Sequence, residues 1–153
     1  MEEKINAISF NDRAIPIPSD YRPLYKIGHI LLILYISCRA GKSSIMKLHF
    51  LCWAIKTKSN TATVKGWIKD NFSSHLYIWG IEPTVNRALL FAVSNELVKN
   101  IGPDFLITTK GNDLVKAITR DKELYNRERE FLSSIGKNKI TELQINKLAS
   151  KFH

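Results

Sequence analysis

The string Ala40-Gly41-Lys42-Ser43-Ser44 ends like the phosphate-binding loop GxxxxGK[ST] and follows an apolar run. In such a loop, successive backbone amides cradle the phosphates and a later acid serves magnesium. Here Ile36 stands where the first glycine should be, and no later apolar strand ends in an acid. The string works better as punctuation, with Gly41 closing one helix and Ser43 or Ser44 capping the next. No nucleotide or other cofactor is expected. His49 and Cys52 stand three apart on one helical face, a spacing that suits two metal ligands, but two more ligands at suitable spacing are missing. His29 and His75 are isolated, acids are scattered, and no serine or cysteine has an activating neighbour. The chain is therefore read as non-enzymatic, with no catalytic residue and no metal site. Cys38 and Cys52 lie inside apolar helical patterns, where a free thiol packs as a small hydrophobe, so a reducing cytoplasm is expected rather than a disulfide.

Binding is the remaining class of function, and charge is its first signal. The net charge of +9 is concentrated: between Asp20 and Asp70 no acid occurs, yet nine of the 23 cations do. Clustered like charge repels itself unless a polyanion or an acidic protein surface neutralises it, although a solvated face is the plainer alternative. Lys42, Lys47, Lys56, Lys58, Lys65 and Lys69 are the candidate contacts to nucleic acid or to an acidic surface. Any DNA binding through them should be weak, independent of sequence and steeply salt-dependent. A membrane partner is not expected, because the longest apolar run, Ile30 to Ile36, falls far short of the roughly 20 residues that span a bilayer. The polar N-terminus also lacks the apolar region of a signal peptide.

These side chains must be positioned by helices. Residues 1–20 read as an extended arm, since Ile15-Pro16-Ile17-Pro18 forbids a helix. The rest, 21–153, reads as one domain of ordinary globular composition, with a helical extension over about 113–153. A first helix should run from about Leu24 to Arg39, apolar on every side and so buried all round. A second fits Ser44 to Thr57, and a shorter third Val64 to Phe72, with Ser59-Asn60-Thr61 breaking the pattern between them. Aromatic and β-branched residues predict a strand over His75 to Ile81, and Pro83 opens a helix that reaches about Glu96.

Leu97 to Asn100, a turn over Ile101 to Asp104, and Phe105 to Thr108 then read as a β-hairpin. A helix, this hairpin and Thr109-Lys110-Gly111 opening a long helix together match a winged helix with a two-stranded wing, a mainly α (α+β) fold. The long helix, about Asp113 to Ile135, pairs apolar residues as Ala117-Ile118, Leu124-Tyr125 and Phe131-Leu132, a seven-residue seam for an internal or external partner helix. Thr141 and Gln144 form a capping box for a last helix whose apolar face is Ile145, Leu148, Ala149 and Phe152. The helix before the wing makes a poor DNA reader: Val85 and the run Ala88 to Val93 cover most of its faces, and the wing tip carries Pro103 and Asp104 instead of basic residues.

Three strings, Ser44 to Lys56 with its KLHxLxWA core, Glu82 to Leu89 with PxxNRA, and Leu106 to Gly111, resemble the middle component of bacterial ABC-three-component systems, of which Lamassu anti-phage defence is one type. The resemblance covers about residues 22–120 and departs from the expected pattern at Glu82, where an aspartate would stand, and Lys56, where an arginine would. It implies a winged-helix adaptor that bridges an SMC-like ABC ATPase and an effector nuclease, and that holds the effector silent until foreign DNA is sensed, touching DNA directly or through the complex. The alternative is a stand-alone dimeric winged-helix transcription regulator. Arg87, as the one cation on an apolar helix, and the seam residues Leu124, Tyr125, Phe131 and Leu132 are the expected partner-binding residues. Trp53 and Ala88 are expected in fully apolar surroundings, where Trp53→Ala would cost about 3–5 kcal/mol.

Overall fold

A computed structural model describes residues 23–74, 76 and 82–150, with seven helices and a small three-stranded sheet among them. The expected N-terminal arm, the strand over 75–81 apart from the buried Leu76, and Phe152 lie outside the described residues. The first helix, α1 (Pro23–Ser37), runs through the middle of the molecule because it has no polar face to give to water. Ile30 to Leu34 are all fully buried, each worth roughly 1.5–3 kcal/mol of burial. Around α1 pack α2 (Ile45–Lys56), α4 (Pro83–Ser94), α5 (Thr109–Arg120) and α6 (Asn126–Ile135).

The chain leaves α1 through a 3-10 turn (Arg39–Gly41) that bends at Ala40, whose φ of 54° is left-handed. It then forms β1 (Lys42–Ser44), a strand the sequence reading did not anticipate. Its reason is the hairpin: β2 (Val98–Ile101) and β3 (Asp104–Ile107) pair antiparallel, and β1 adds to the open edge of β3, with Lys42 opposite Leu106 and Ser44 opposite Asp104. The sheet order is β1-β3-β2. Gly102, at a φ of 57°, and Pro103 form the two-residue loop, where glycine supplies the positive φ that such a turn needs at its first position. On the hairpin's inner side Val98 and Ile107 are buried.

The third helix is longer than expected. α3 (Lys58–Lys69) begins directly after Thr57, because the Thr57 hydroxyl accepts from Asn60 N at 3.0 Å and so caps it. Ser59-Asn60-Thr61 therefore opens a helix instead of breaking one: Asn60 Nδ2 donates to Trp53 O at 2.9 Å and Thr61 Oγ1 to Ala54 O at 2.7 Å, turning the corner from α2. The long helix is also corrected. It starts at Thr109, where Thr108 accepts from Gly111 N at 3.0 Å, and it stops at Arg120. Asp121 Oδ1 accepts from Glu123 N at 2.9 Å in the break, Tyr125 sits left-handed at a φ of 54°, and α6 starts anew. Both halves of the seven-residue pattern persist, each folding back on α1. α7 (Glu142–Ser150) follows, with Thr141 and Gln144 bonded reciprocally at 2.7 and 3.2 Å as a capping box.

α1 and α6 meet through a buried polar cluster. Glu128 Oε2 accepts from Tyr25 Oη at 2.8 Å and lies 3.0 Å from His29 Nε2, while Tyr125 Oη donates to Tyr25 O at 3.0 Å. A side chain on Gly28 would collide with the Tyr125 ring, so glycine there sets how closely α6 approaches α1. Burial lowers His29 from its ordinary value of 6.5, against the opposing pull of the bond to Glu128, so the folded ring stays neutral with its hydrogen on Nε2. Burial alone would raise Glu128, but the bonds from His29 and Tyr25 outweigh it and hold the carboxyl well below 4.5.

Both shifts favour unfolding in acid. The unfolded His29 takes a proton near 6.5 when the folded one does not, and the loss from Glu128 begins as pH falls through 4.5. The denaturation midpoint should therefore drop between about pH 7.5 and about pH 5.5. His29→Gln, which keeps a donor for Glu128 but cannot titrate, should drop less over that interval. Equal drops in the two proteins would show that His29 is not the group responsible.

Candidate partner-binding surface

Helix α4 owes its place to a polar hub at its first turn. Pro83 starts it, and Glu82 is its N-cap residue but offers no side-chain cap. Instead His49, from the middle of α2, takes both sides of the turn: its Nδ1 accepts from Glu82 N at 3.2 Å and its Nε2 donates to Asn86 Oδ1 at 2.9 Å. These contacts fix the tautomer, with the hydrogen on Nε2. The Glu82 carboxylate, thereby left free to reach sideways, pairs with Lys56 at 3.4 Å and with Lys26 at 3.8 Å. Lys26 is fully buried and makes no hydrogen bond among the described residues, so Glu82 is the counter-charge that accompanies its ammonium into the core. The KLHxLxWA and PxxNRA strings are thus one structural unit, joined through His49, Asn86 and Glu82.

Fixed in this way, α4 buries Val85, Ala88, Leu89 and Ala92, spaced at i, i+3, i+4 and i+7. The opposite stripe carries Arg87, Leu90, Phe91 and Ser94, all exposed. Leu90 is 70% exposed and Phe91 39%. The helix ends with Leu97 N donating to Ala92 O and Glu96 N to Val93 O, at 2.9 and 3.0 Å, with Glu96 left-handed at a φ of 62°. That close delivers the chain straight into β2.

The expected site residues separate. Arg87 lies on the exposed stripe, and among the described residues the ion pairs run through Lys26 and Lys56 instead. The seam residues do not form an external surface. Leu132 is 0% exposed, Phe131 2% and Tyr125 8%, and Leu124 is partly buried. Their partner helix is internal, chiefly α1, and a residue used inside the core is not available to another protein. Trp53 is only partly buried, whereas Phe50 beside it is fully buried, so the large cavity cost expected for Trp53→Ala belongs to Phe50→Ala. Ala88 is fully buried, as expected.

Among the candidate lysines, Lys42, Lys58, Lys65 and Lys69 are exposed. Lys56 is paired with Glu82 and partly buried. Lys47 is 4% exposed and donates to Ser37 O at 3.3 Å, which takes it off the outer surface. The acid-free stretch is therefore not a uniform basic face: two of its cations are answered by Glu82 and one by a carbonyl. Ser44 caps α2 by accepting from Lys47 N at 3.2 Å. No group of three His, Cys, Asp or Glu residues suited to a metal occurs among the described residues. Cys38 and Cys52 are buried free thiols, and burial pushes Cys52 up to about 12 and Cys38 above its usual value. No described helix is long and apolar enough to cross a membrane.

Sequence reasoning missed the exposed Leu90 and Phe91 because α4 is apolar on both faces. The 3.6-residue period was legible only once Val85, Ala88, Leu89 and Ala92 were known to be the buried set. No family model, curated protein or solved structure matches this chain.

A double-mutant cycle tests the hub. Glu82→Gln leaves Lys26 without its counter-charge and should destabilise the fold by about 3 kcal/mol or more. Adding Lys26→Met should recover most of that loss, since an apolar replacement removes the buried charge altogether. Additive losses, measured by denaturant unfolding, would show that the two residues do not depend on each other.

Proposed function

We propose that this protein is a non-enzymatic winged-helix adaptor of a defence complex, bridging an SMC-like ABC ATPase and an effector nuclease in the cytoplasm. The element order supports the winged-helix reading. α1, β1, α2, α4 and the β2–β3 hairpin follow the succession of such a domain, with α3 as an addition, and α4 takes the place of the helix that would enter a DNA groove.

The exposed stripe of α4 carries the adaptor reading. A groove reader offers Arg, Asn, Gln or Lys to base edges. This stripe offers Leu90 and Phe91 beside one arginine, the mixture of large apolar anchors and guanidinium that dominates protein interfaces. Water gains nothing from a leucine 70% exposed next to a phenylalanine, and a protein partner would bury both. The resemblance of the Ser44–Lys56 and Glu82–Leu89 strings to the middle component of ABC-three-component systems names the partners. The subunit supplies no chemistry. It transmits the state of the ATPase, which senses foreign DNA, to the effector that it keeps silent.

The test is co-purification of tagged protein with the coiled-coil ABC ATPase and the nuclease expressed alongside it. Leu90→Asp combined with Phe91→Asp should lower recovery of a partner at least about tenfold, equivalent to 1.4 kcal/mol. Leu143→Asp, which places the same charge on an exposed leucine of α7, should not. A double variant that is folded and still holds both partners at full strength would overturn the reading. Tight binding of one palindromic duplex by the protein alone, persisting at high salt, would favour the dimeric regulator instead.

A further inference from the structure

The turn after α1 opens onto a cleft of about 310 Å³ between β1, the start of α2 and the start of α7. Arg39, Lys42, Lys47 and Lys137 line it, with Glu142 as the one carboxylate among the described residues. None of these four cations is paired with a carboxylate among the described residues. Arg39 donates to Asn138 Oδ1 at 2.9 and 3.2 Å, Lys137 to the carbonyls of Tyr35 and Cys38 at 3.1 and 3.3 Å, and Lys47 to Ser37 O. All of these acceptors are neutral. Glu142 makes no ion pair with them among the described residues, since Ser44 Oγ donates to its Oε1 at 2.6 Å and Ser44 N to its Oε2 at 3.1 Å, and its single negative charge offsets only one of the four cations. The cleft thus brings cations from both ends of the chain to one place and leaves their charge in excess.

Lys137 also borders a second opening of about 450 Å³, lined by Tyr35 and Asn112 among others. The Tyr35 side chain is 38% exposed there, an aromatic that the core does not use. Cations that follow one another along a groove, with an aromatic face at its side, are the arrangement that holds a single nucleic-acid strand through its phosphates and one stacked base. An enclosed nucleotide pocket would need a nest of backbone amides. Here the amide at the start of α2 is already taken by Glu142.

We propose that this double cleft is a binding site for single-stranded nucleic acid, with Arg39, Lys42 and Lys137 on the phosphodiester backbone and Tyr35 against a base. Lys47 sits in the floor and adds charge without reaching out. The site stands apart from α4 and does not rest on the adaptor reading, so each can fail without the other.

The experiment uses the isolated full chain and fluorescence anisotropy of a labelled oligodeoxynucleotide, its duplex form, and unlabelled ATP as competitor. The single strand should bind with a steep salt dependence. Arg39→Ala combined with Lys42→Ala should lower the slope of log affinity against log salt by about 1.4, at about 0.7 for each lost contact to a single strand. Lys65→Ala combined with Lys69→Ala, the same change of charge on α3, should leave the slope as it is. Arg39→Lys with Lys42→Arg, which keeps the charges, should bind like wild type. Tyr35→Leu should weaken the single strand at least about fivefold while leaving the duplex unchanged. The proposal is overturned if no saturable single-strand binding occurs at low salt, if the α3 variant loses as much as the cleft variant, or if stoichiometric ATP displaces the oligonucleotide.

Discussion

A buried ammonium requires a counter-charge, and among the described residues Lys26 obtains one through Glu82. Lys26 lies in α1, around which α2, α4, α5 and α6 pack, and Glu82 immediately precedes α4. Pairing them pins the start of α4 to the centre of the core. His49 completes the constraint from α2, binding Glu82 N and Asn86 Oδ1 on opposite sides of its ring. From there the consequences run along the chain. With its first turn fixed, α4 can bury only one stripe, its end delivers β2 and the hairpin, and Leu90 and Phe91 are left facing outward. The proposed binding surface follows from the way one buried charge is accommodated.

The same economy of carboxylates governs the electrostatics elsewhere. The first half of the chain has no acid between Asp20 and Asp70, so its cations depend on acids that come from far along the sequence. Glu82 answers Lys26 and Lys56, Glu128 engages Tyr25 and His29, and Glu142 is spent on Ser44. Each carboxylate ties a distant segment to α1 or α2, and of what remains unanswered one part gathers where the turn after α1 meets Lys137 while Lys58, Lys65 and Lys69 lie exposed on α3. Positive charge is thus partly structural and partly local, and counting lysines along the sequence does not separate the two.

Much of this was legible from the sequence. The apolar-all-round α1, the hairpin with Gly102-Pro103 at its tip, the Thr141 capping box and Ser44 as the cap of α2 are local patterns, and local physics decides them, whereas Gly41 ends a 3-10 turn instead of α1, which already stops at Ser37. The failures share a cause. The seven-residue repeat over Ala117 to Leu132 is real, but repeats say nothing about continuity, and the left-handed Tyr125 breaks the helix while both halves still face α1. Ser59-Asn60-Thr61 holds the same residues a loop would, and only the Trp53 and Ala54 carbonyls waiting across the corner turn them into a helix start. β1 exists because β3 has an edge to offer, a non-local fact. The His49 to Asn86 bond spans two strings that the sequence sets apart, and no periodicity links them.

The central claim is that the outward stripe of α4 meets protein rather than nucleic acid. Site-specific photo-crosslinking reads this directly, with a photoreactive residue placed at Leu90 in cells that produce the whole system, and a second at the buried Leu132 as a reference for background. A crosslink from position 90 to the ABC ATPase or to the nuclease, absent from position 132, is the predicted result. A crosslink from position 90 to DNA, or none to either protein, would contradict it.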